Sequence, residues 1–98
     1  MSSNECFTDT VIRKDFISDE ENRYSYELIL REGTKTASWR IPLYSIKVSM
    51  TDSGGVSTSA DITDAFADVS RAIRFYEKLV RNMATPIDLP YVLEDEMG

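Results

Sequence analysis

Asp68-Val-Ser-Arg-Ala-Ile-Arg-Phe-Tyr-Glu-Lys-Leu-Val-Arg-Asn-Met83 is the stretch whose reading decides the fold. Apolar residues recur at Val69, Ala72, Ile73, Tyr76, Leu79, Val80 and Met83, in steps of three and four that share one face of a helix. Ser70, Arg71, Arg74, Glu77, Lys78, Arg81 and Asn82 take the other face. Phe75 falls beside the apolar stripe rather than in its centre. Such a stripe is stable only against another apolar surface, and the chain before it supplies one.

Working back from the helix, Val56–Ile62 reads as a short strand with Val56, Thr58, Ala60 and Ile62 on one face. Asp52-Ser-Gly-Gly55 reads as a hairpin turn, both glycines accepting positive φ. Thr36–Thr51 is a long strand region whose phase changes. Trp39, Ile41 and Leu43 sit at odd positions, and Tyr44, Ile46, Val48 and Met50 at even ones. Pro42 lies at the switch and cannot donate to a ladder, so a bulge or break is expected at Pro42–Tyr44. Tyr24–Glu32 alternates cleanly, with Tyr24, Tyr26, Leu28 and Leu30 expected to face the helix, and Gly33 closes it with a turn. Phe7–Ile17 has Val11 and Ile12 adjacent, which predicts either two partly covered faces or a bulge. Ser18–Asn22 is the polar turn between these first two strands.

Working forward, Thr63 or Asp64 is expected to open the helical region, with the regular helix starting at Asp64 or Asp68 and stopping near Ala84. Thr85-Pro-Ile-Asp88 then has the chemistry of a second helix start. Pro90 would clash inside a helix that began there, so a start at Asp88 fits equally. Tyr91–Met97 is one short helix in either case. The expected fold is α+β, a four-stranded antiparallel meander with one amphipathic helix packed on one face and a short C-terminal helix. Residues 1–98 are read as one domain with residues 1–5 as a flexible N-terminus.

Composition narrows function. Ninety-eight residues, 42% hydrophobic and 29% charged, suffice for one core without staples. A net charge of −6 is repelled by phosphate backbones and anionic membrane surfaces, so neither nucleic acid nor membrane is an expected partner. The chain has no histidine and one cysteine, Cys6. That removes histidine-activated nucleophiles, the commonest general base and the usual zinc ligands. No cofactor, no metal and no enzymatic activity are expected. Met1–Glu5 lacks the features of a signal peptide, no apolar run spans a bilayer, and a lone cysteine suits a reducing cytoplasm.

The candidate binding residues are Arg71, Arg74, Lys78 and Arg81. Their spacing of three, four and three makes a basic ridge along the helix, suited to a carboxylate, a phosphate group or an acidic partner. The competing use is a solvated outer face in which Glu77 pairs with Arg74 or Arg81. Asp61, Asp64 and Asp68 offer carboxylates for calcium or magnesium, but match no EF-hand spacing and each has a simpler place at a strand end or helix start. The aromatics Tyr24, Tyr26, Trp39, Tyr44, Phe66, Phe75, Tyr76 and Tyr91 read as core and sheet face, with stacking on a ligand as the competing use. An exposed Phe75 or Trp39 would mark an interface.

Asn82, Thr85-Pro-Ile87, Leu89, Val92 and Glu94 form a run after the helix that resembles a family of small uncharacterised bacterial proteins, a domain of unknown function found mainly in anaerobic Gram-positive bacteria. Asp88 stands where that family often carries a histidine, so no role of that histidine carries over. The resemblance implies a fold rather than a biochemistry. A sheet covered on one side leaves a second face, where Ile29 and either Val11 or Ile12 should sit. The expected function is therefore that of a non-catalytic interaction or regulatory protein, homodimeric through that face and insensitive to salt. The alternative is a small-molecule or anion site on the ridge or in a helix–sheet cleft.

Overall fold

The computed structural model describes residues 7–33 and 42–97. Strands β1 (Phe7–Ser18), β2 (Arg23–Gly33), β3 (Leu43–Thr51) and β4 (Ser57–Phe66) are followed by helices α1 (Val69–Arg81) and α2 (Leu89–Met97). The strands form one antiparallel sheet in the order β1-β2-β3-β4. Both helices pack on one face of it, which is the α+β meander expected. The expectations placed on Cys6, Trp39 and Ile41, and on a flexible Met1–Glu5, fall outside the described residues.

The core is where the alternating strand residues meet the helix stripe. Tyr24, Tyr26, Leu28, Tyr44, Ile46, Val48 and Phe66 from the sheet are buried against Ala72, Phe75, Tyr76 and Leu79. Leu30, on the same side, is half-buried. A thirteen-residue helix is marginal alone in water. Burying side chains the size of Leu79 and Phe75 contributes about 1.5–3 kcal/mol each, so tertiary packing holds α1 in place. Asp68 caps it, its carboxylate accepting from Ser70 N at 3.2 Å and its carbonyl from Ala72 N at 3.0 Å.

The buried face of α1 is turned relative to the stripe read from sequence. Phe75 is fully buried, whereas Val69 is 40% exposed. The cause lies in β4: the Phe66 ring stands 5.3 Å from that of Phe75, and the aromatic pair draws Phe75 inward.

The strand irregularities have positions of their own. β1 carries a bulge between Val11 and Arg13, as the adjacent Val11 and Ile12 suggested. The break expected at Pro42–Tyr44 is not a bulge in β3, whose pairing with β2 is regular through Leu43. The irregularity lies between β3 and β4, where Tyr44 faces Phe66 but Ile46 faces Ile62. The extra residues are in β4, and Asp64 takes φ 55 to absorb them. Asp64 therefore does not open the helix. β4 also runs four residues past Ile62 and begins after Val56, which is exposed.

Short-range chemistry sets the connections. In the β3–β4 turn, Asp52 Oδ1 accepts from Gly54 N and Val56 N, both at 2.9 Å, and Gly55 takes φ 87. Of the two glycines only Gly55 adopts positive φ. In the β1–β2 turn, Asp19 accepts from Asn22 N at 2.7 Å and Glu21 N at 2.9 Å, and these donors hold its carboxyl below the usual range. Helix α1 ends with Met83 at φ 51, Met83 N donating to Val80 O and Ala84 N to Leu79 O. This is the left-handed helix stop that glycine usually fills. Thr85 and Asp88 then bond reciprocally, Thr85 N to Asp88 Oδ2 and Asp88 N to Thr85 Oγ1. The helix proper begins at Leu89, with Asp88 O accepting from Val92 N. Pro90 is tolerated because first-turn amides have no helical partner.

Candidate functional site

The outer side of α1 is the surface that the sequence singled out, and its flanks are not alike. On one flank the Glu77 side chain reaches across to Arg13 of β1 and pairs with it at 3.1 Å. Arg13 also lies 3.6 Å from Asp15 and stacks 5.1 Å from the centre of the Tyr76 ring. On the other flank Lys78 reaches α2, 3.9 Å from both Asp95 and Glu96. Arg71 lies over the Phe66 ring at 5.8 Å. Arg74 and Arg81 lie on the outward centreline between these flanks and are exposed.

The ridge is thus split by its surroundings. Lys78 is engaged by acids and Arg71 by an aromatic face. Arg74 and Arg81 make no ion pair with any described residue, because the only acid of their own helix is held by Arg13. The pairing of Glu77 with Arg74 or Arg81 that helical spacing allowed is therefore not formed. Beside the ridge, α1 and α2 leave an open groove of about 290 Å³ lined by Lys78, Asn82, Tyr91, Val92 and Asp95. Its one cation already faces Asp95, so it is a poor seat for an anion.

Two buried phenols tie the helices to the sheet. Tyr26 Oη donates to Ala84 O at 2.8 Å, pinning the turn between the helices. Tyr76 Oη lies 2.7 Å from Asp15 Oδ2 and 3.0 Å from Tyr26 O, its one proton serving both acceptors. Burial pushes the Tyr26 hydroxyl up to about 12, and burial followed by the hydrogen bond to Asp15 raises that of Tyr76 further. These aromatics are core, as is Phe75, whereas Tyr91 is exposed, as is Ile87.

The other candidates separate. Asp61 lies in register with Lys47, Asp64 sits in the β4 bulge, and Asp68 caps α1. No three metal-ligating side chains cluster among the described residues. Asp64 is the residue whose role spacing did not reveal. Its amide donates to Ser45 Oγ at 2.8 Å, its Oδ2 lies 3.4 Å from Arg31, and its Oδ1 is buried without a hydrogen-bond partner among the described residues. Only the irregular β3–β4 register puts it there.

The uncovered face of the sheet follows from the registers. It carries Asp9, Val11, Lys14 and Phe16 of β1, then Ser25, Glu27, Ile29 and Arg31 of β2. Leu43, Ser45, Lys47, Ser49 and Thr51 of β3 and Ser57, Ser59 and Asp61 of β4 also lie on it. Ile29 and Val11 lie on this face as expected, but serine and paired charges dominate it. Its exposed large apolar side chains, Val11 and Phe16, belong to the edge strand β1, where Ile12 is also exposed.

Fold and surface together define a small α+β protein, a meander sheet under two helices with a charged, arginine-bearing helix face outward. The chain belongs to a family of unknown function (DUF6514), whose model matches residues 8–98, strands and helices alike. No curated protein and no solved structure matches it.

Proposed function

We propose that this is a non-catalytic interaction protein of the cytoplasm that binds an acidic segment of a protein partner through the outer face of α1. The observation that carries the reading is the pair Arg74 and Arg81, exposed and without an ion-pair partner among the described residues while Glu77 is drawn off to Arg13. Seven helical residues separate these arginines by roughly 10.5 Å. Acidic residues three apart on a polyproline II segment share one side and span about 9 Å, and seven apart on a helix span the same distance as the arginines. The guanidinium fork donates two parallel hydrogen bonds to a carboxylate. The remainder of the chain is acidic, but at physiological salt charges act over only about 8 Å, so the local arginines govern a short contact. The cytoplasmic setting rests on the lone Cys6, which allows no intrachain disulfide.

The test is a titration of ¹⁵N-labelled protein with a peptide carrying glutamate at every third position, against the same peptide with glutamine. Amide shifts should concentrate at Ser70–Asn82, and the Arg74→Glu/Arg81→Glu variant should lose them while melting as the wild type does. Shifts that spread evenly over the surface, or survive in that variant, would refute the reading. Equal binding of pyrophosphate at the same residues would replace it with a small-anion site.

A further inference from the structure

The edge strand β1 carries a pattern that the proposed helix-face function does not use. Its bulge changes which residues share a face. Before Ile12 the uncovered face takes Asp9 and Val11; after it, Lys14 and Phe16. Thr10, Arg13, Asp15 and Ile17 take the helix side. Two copies of one strand pairing antiparallel about a two-fold axis normal to the sheet must place residues of the same face opposite each other. A regular strand with the axis at Ile12 would oppose Asp9 to Asp15, two like charges. The bulge permits a different register, with Asp9 opposite the second copy's Lys14, Thr10 opposite its Arg13, and Val11 opposite its Ile12.

That register continues a charge pattern already present in each sheet. Lys14 pairs with Glu27 at 3.2 Å, and Glu27, Lys47 and Asp61 follow in register across β2, β3 and β4. Asp9 pairs with Arg31 at 3.1 Å. Joining Lys14 of one copy to Asp9 of the other produces an unbroken row of alternating sign: Asp61, Lys47, Glu27, Lys14, then the second copy's Asp9 and Arg31. The two-fold axis generates this row twice. Val11 and Ile12, both exposed in the single chain, meet at the axis. The opposite edge, β4, has no exposed large apolar side chain within the strand, so a β1–β1 contact closes rather than propagating.

We propose that a second copy of this chain docks antiparallel along β1, in the register set by the bulge at Ile12, to form an eight-stranded sheet. The axis is normal to the sheet, so both α1 faces remain on the same side and outside the seam. The contact is held in part by exposed charges, so added salt weakens it.

The test uses native mass spectrometry and light scattering on the wild type and two charge variants. The wild type should be dimeric at micromolar concentration, less so as salt rises. Asp9→Lys opposes lysine to lysine twice and Lys14→Asp opposes aspartate to aspartate twice. Each should weaken dimerisation by about tenfold or more. An equimolar mixture of the two restores both pairs and should yield the heterodimer mass selectively. A monomeric wild type at high micromolar concentration, or single variants as dimeric as the wild type, would overturn the proposal. So would a mixture of cooperatively melting variants that fails to associate. If either variant does not fold, a mixed ¹³C/¹²C wild-type sample decides: Val11 methyl to Ile12 methyl intermolecular contacts are expected, and a dimer without them overturns the register.

Discussion

Replacing Tyr76 by phenylalanine removes one oxygen and no packing volume, so it isolates the polar tie between α1 and the sheet. The substitution removes the hydroxyl hydrogen bond to Asp15 Oδ2 and Tyr26 O. A hydrogen bond to a charged acceptor is worth about 1.5–3 kcal/mol. Asp15 keeps Arg13 at 3.6 Å, which places the expected loss in the lower part of that range, near ~2 kcal/mol. For a domain of this size that lowers the melting temperature by roughly 8–16 °C. The same variant alters the alkaline response. Tyr26 and Tyr76 both have hydroxyl pKa values raised in the folded state, Tyr26 to about 12. Phenols in the unfolded chain ionise near ~10. Their contribution is therefore complete below that pH and is lost as pH rises through the folded values. Each phenol gives a slope of about 1.4 kcal/mol per pH unit. The wild type should lose stability between about pH 10 and 12 with both slopes, and Tyr76→Phe with the Tyr26 slope alone. Urea unfolding followed by circular dichroism at pH 7 and across that interval measures both effects. A loss under ~0.5 kcal/mol at pH 7, or an alkaline slope equal to that of the wild type, would refute the reasoning.

Leu79→Ala, at a fully buried position, should cost about 2–5 kcal/mol by urea unfolding. Val69→Ala, on the turned-out side of α1, should cost under ~1 kcal/mol; equal losses would mean that the helix buries the stripe read from sequence. Gly55→Ala should cost about 1–2 kcal/mol from backbone strain alone, since its φ is 87 and no atom lies within 4 Å of the added methyl. Gly54→Ala, whose added Cβ would sit 3.5 Å from Asp52 Oδ1, should change the midpoint little, and a larger effect there than at Gly55 would reverse the turn assignment.

Much of the architecture is local in origin, and that part was legible. The alternation in Tyr24–Glu32, the glycines after Asp52 and the Thr85–Asp88 pair act over one to five residues, whereas spacing left the helix start open between Asp64 and Asp68 and only the structure shows Asp68 as the cap. Such short-range preferences are written in spacing. The adjacent Val11 and Ile12 marked the irregular point of β1, leaving a bulge and two partly covered faces as alternatives, and the register selects the bulge. The candidate ridge was visible as spacing, but not its division into engaged and unpaired members.

The sequence by itself determined the element order, the antiparallel meander, the amphipathic helix and the absence of histidine chemistry. Tertiary structure decided which residues those elements bring together. Phe75 moved to the centre of the buried face because Phe66 stands beside it. Glu77 went to Arg13, sixty-four residues away, which left Arg74 and Arg81 without their local acid. Tyr76 found Asp15, sixty-one residues away. Asp64 became part of a strand because β3 and β4 are out of step beside it. Each of these depends on where two distant elements cross, and the sum of buried area and satisfied polar groups over the whole fold, rather than any local preference, sets those crossings.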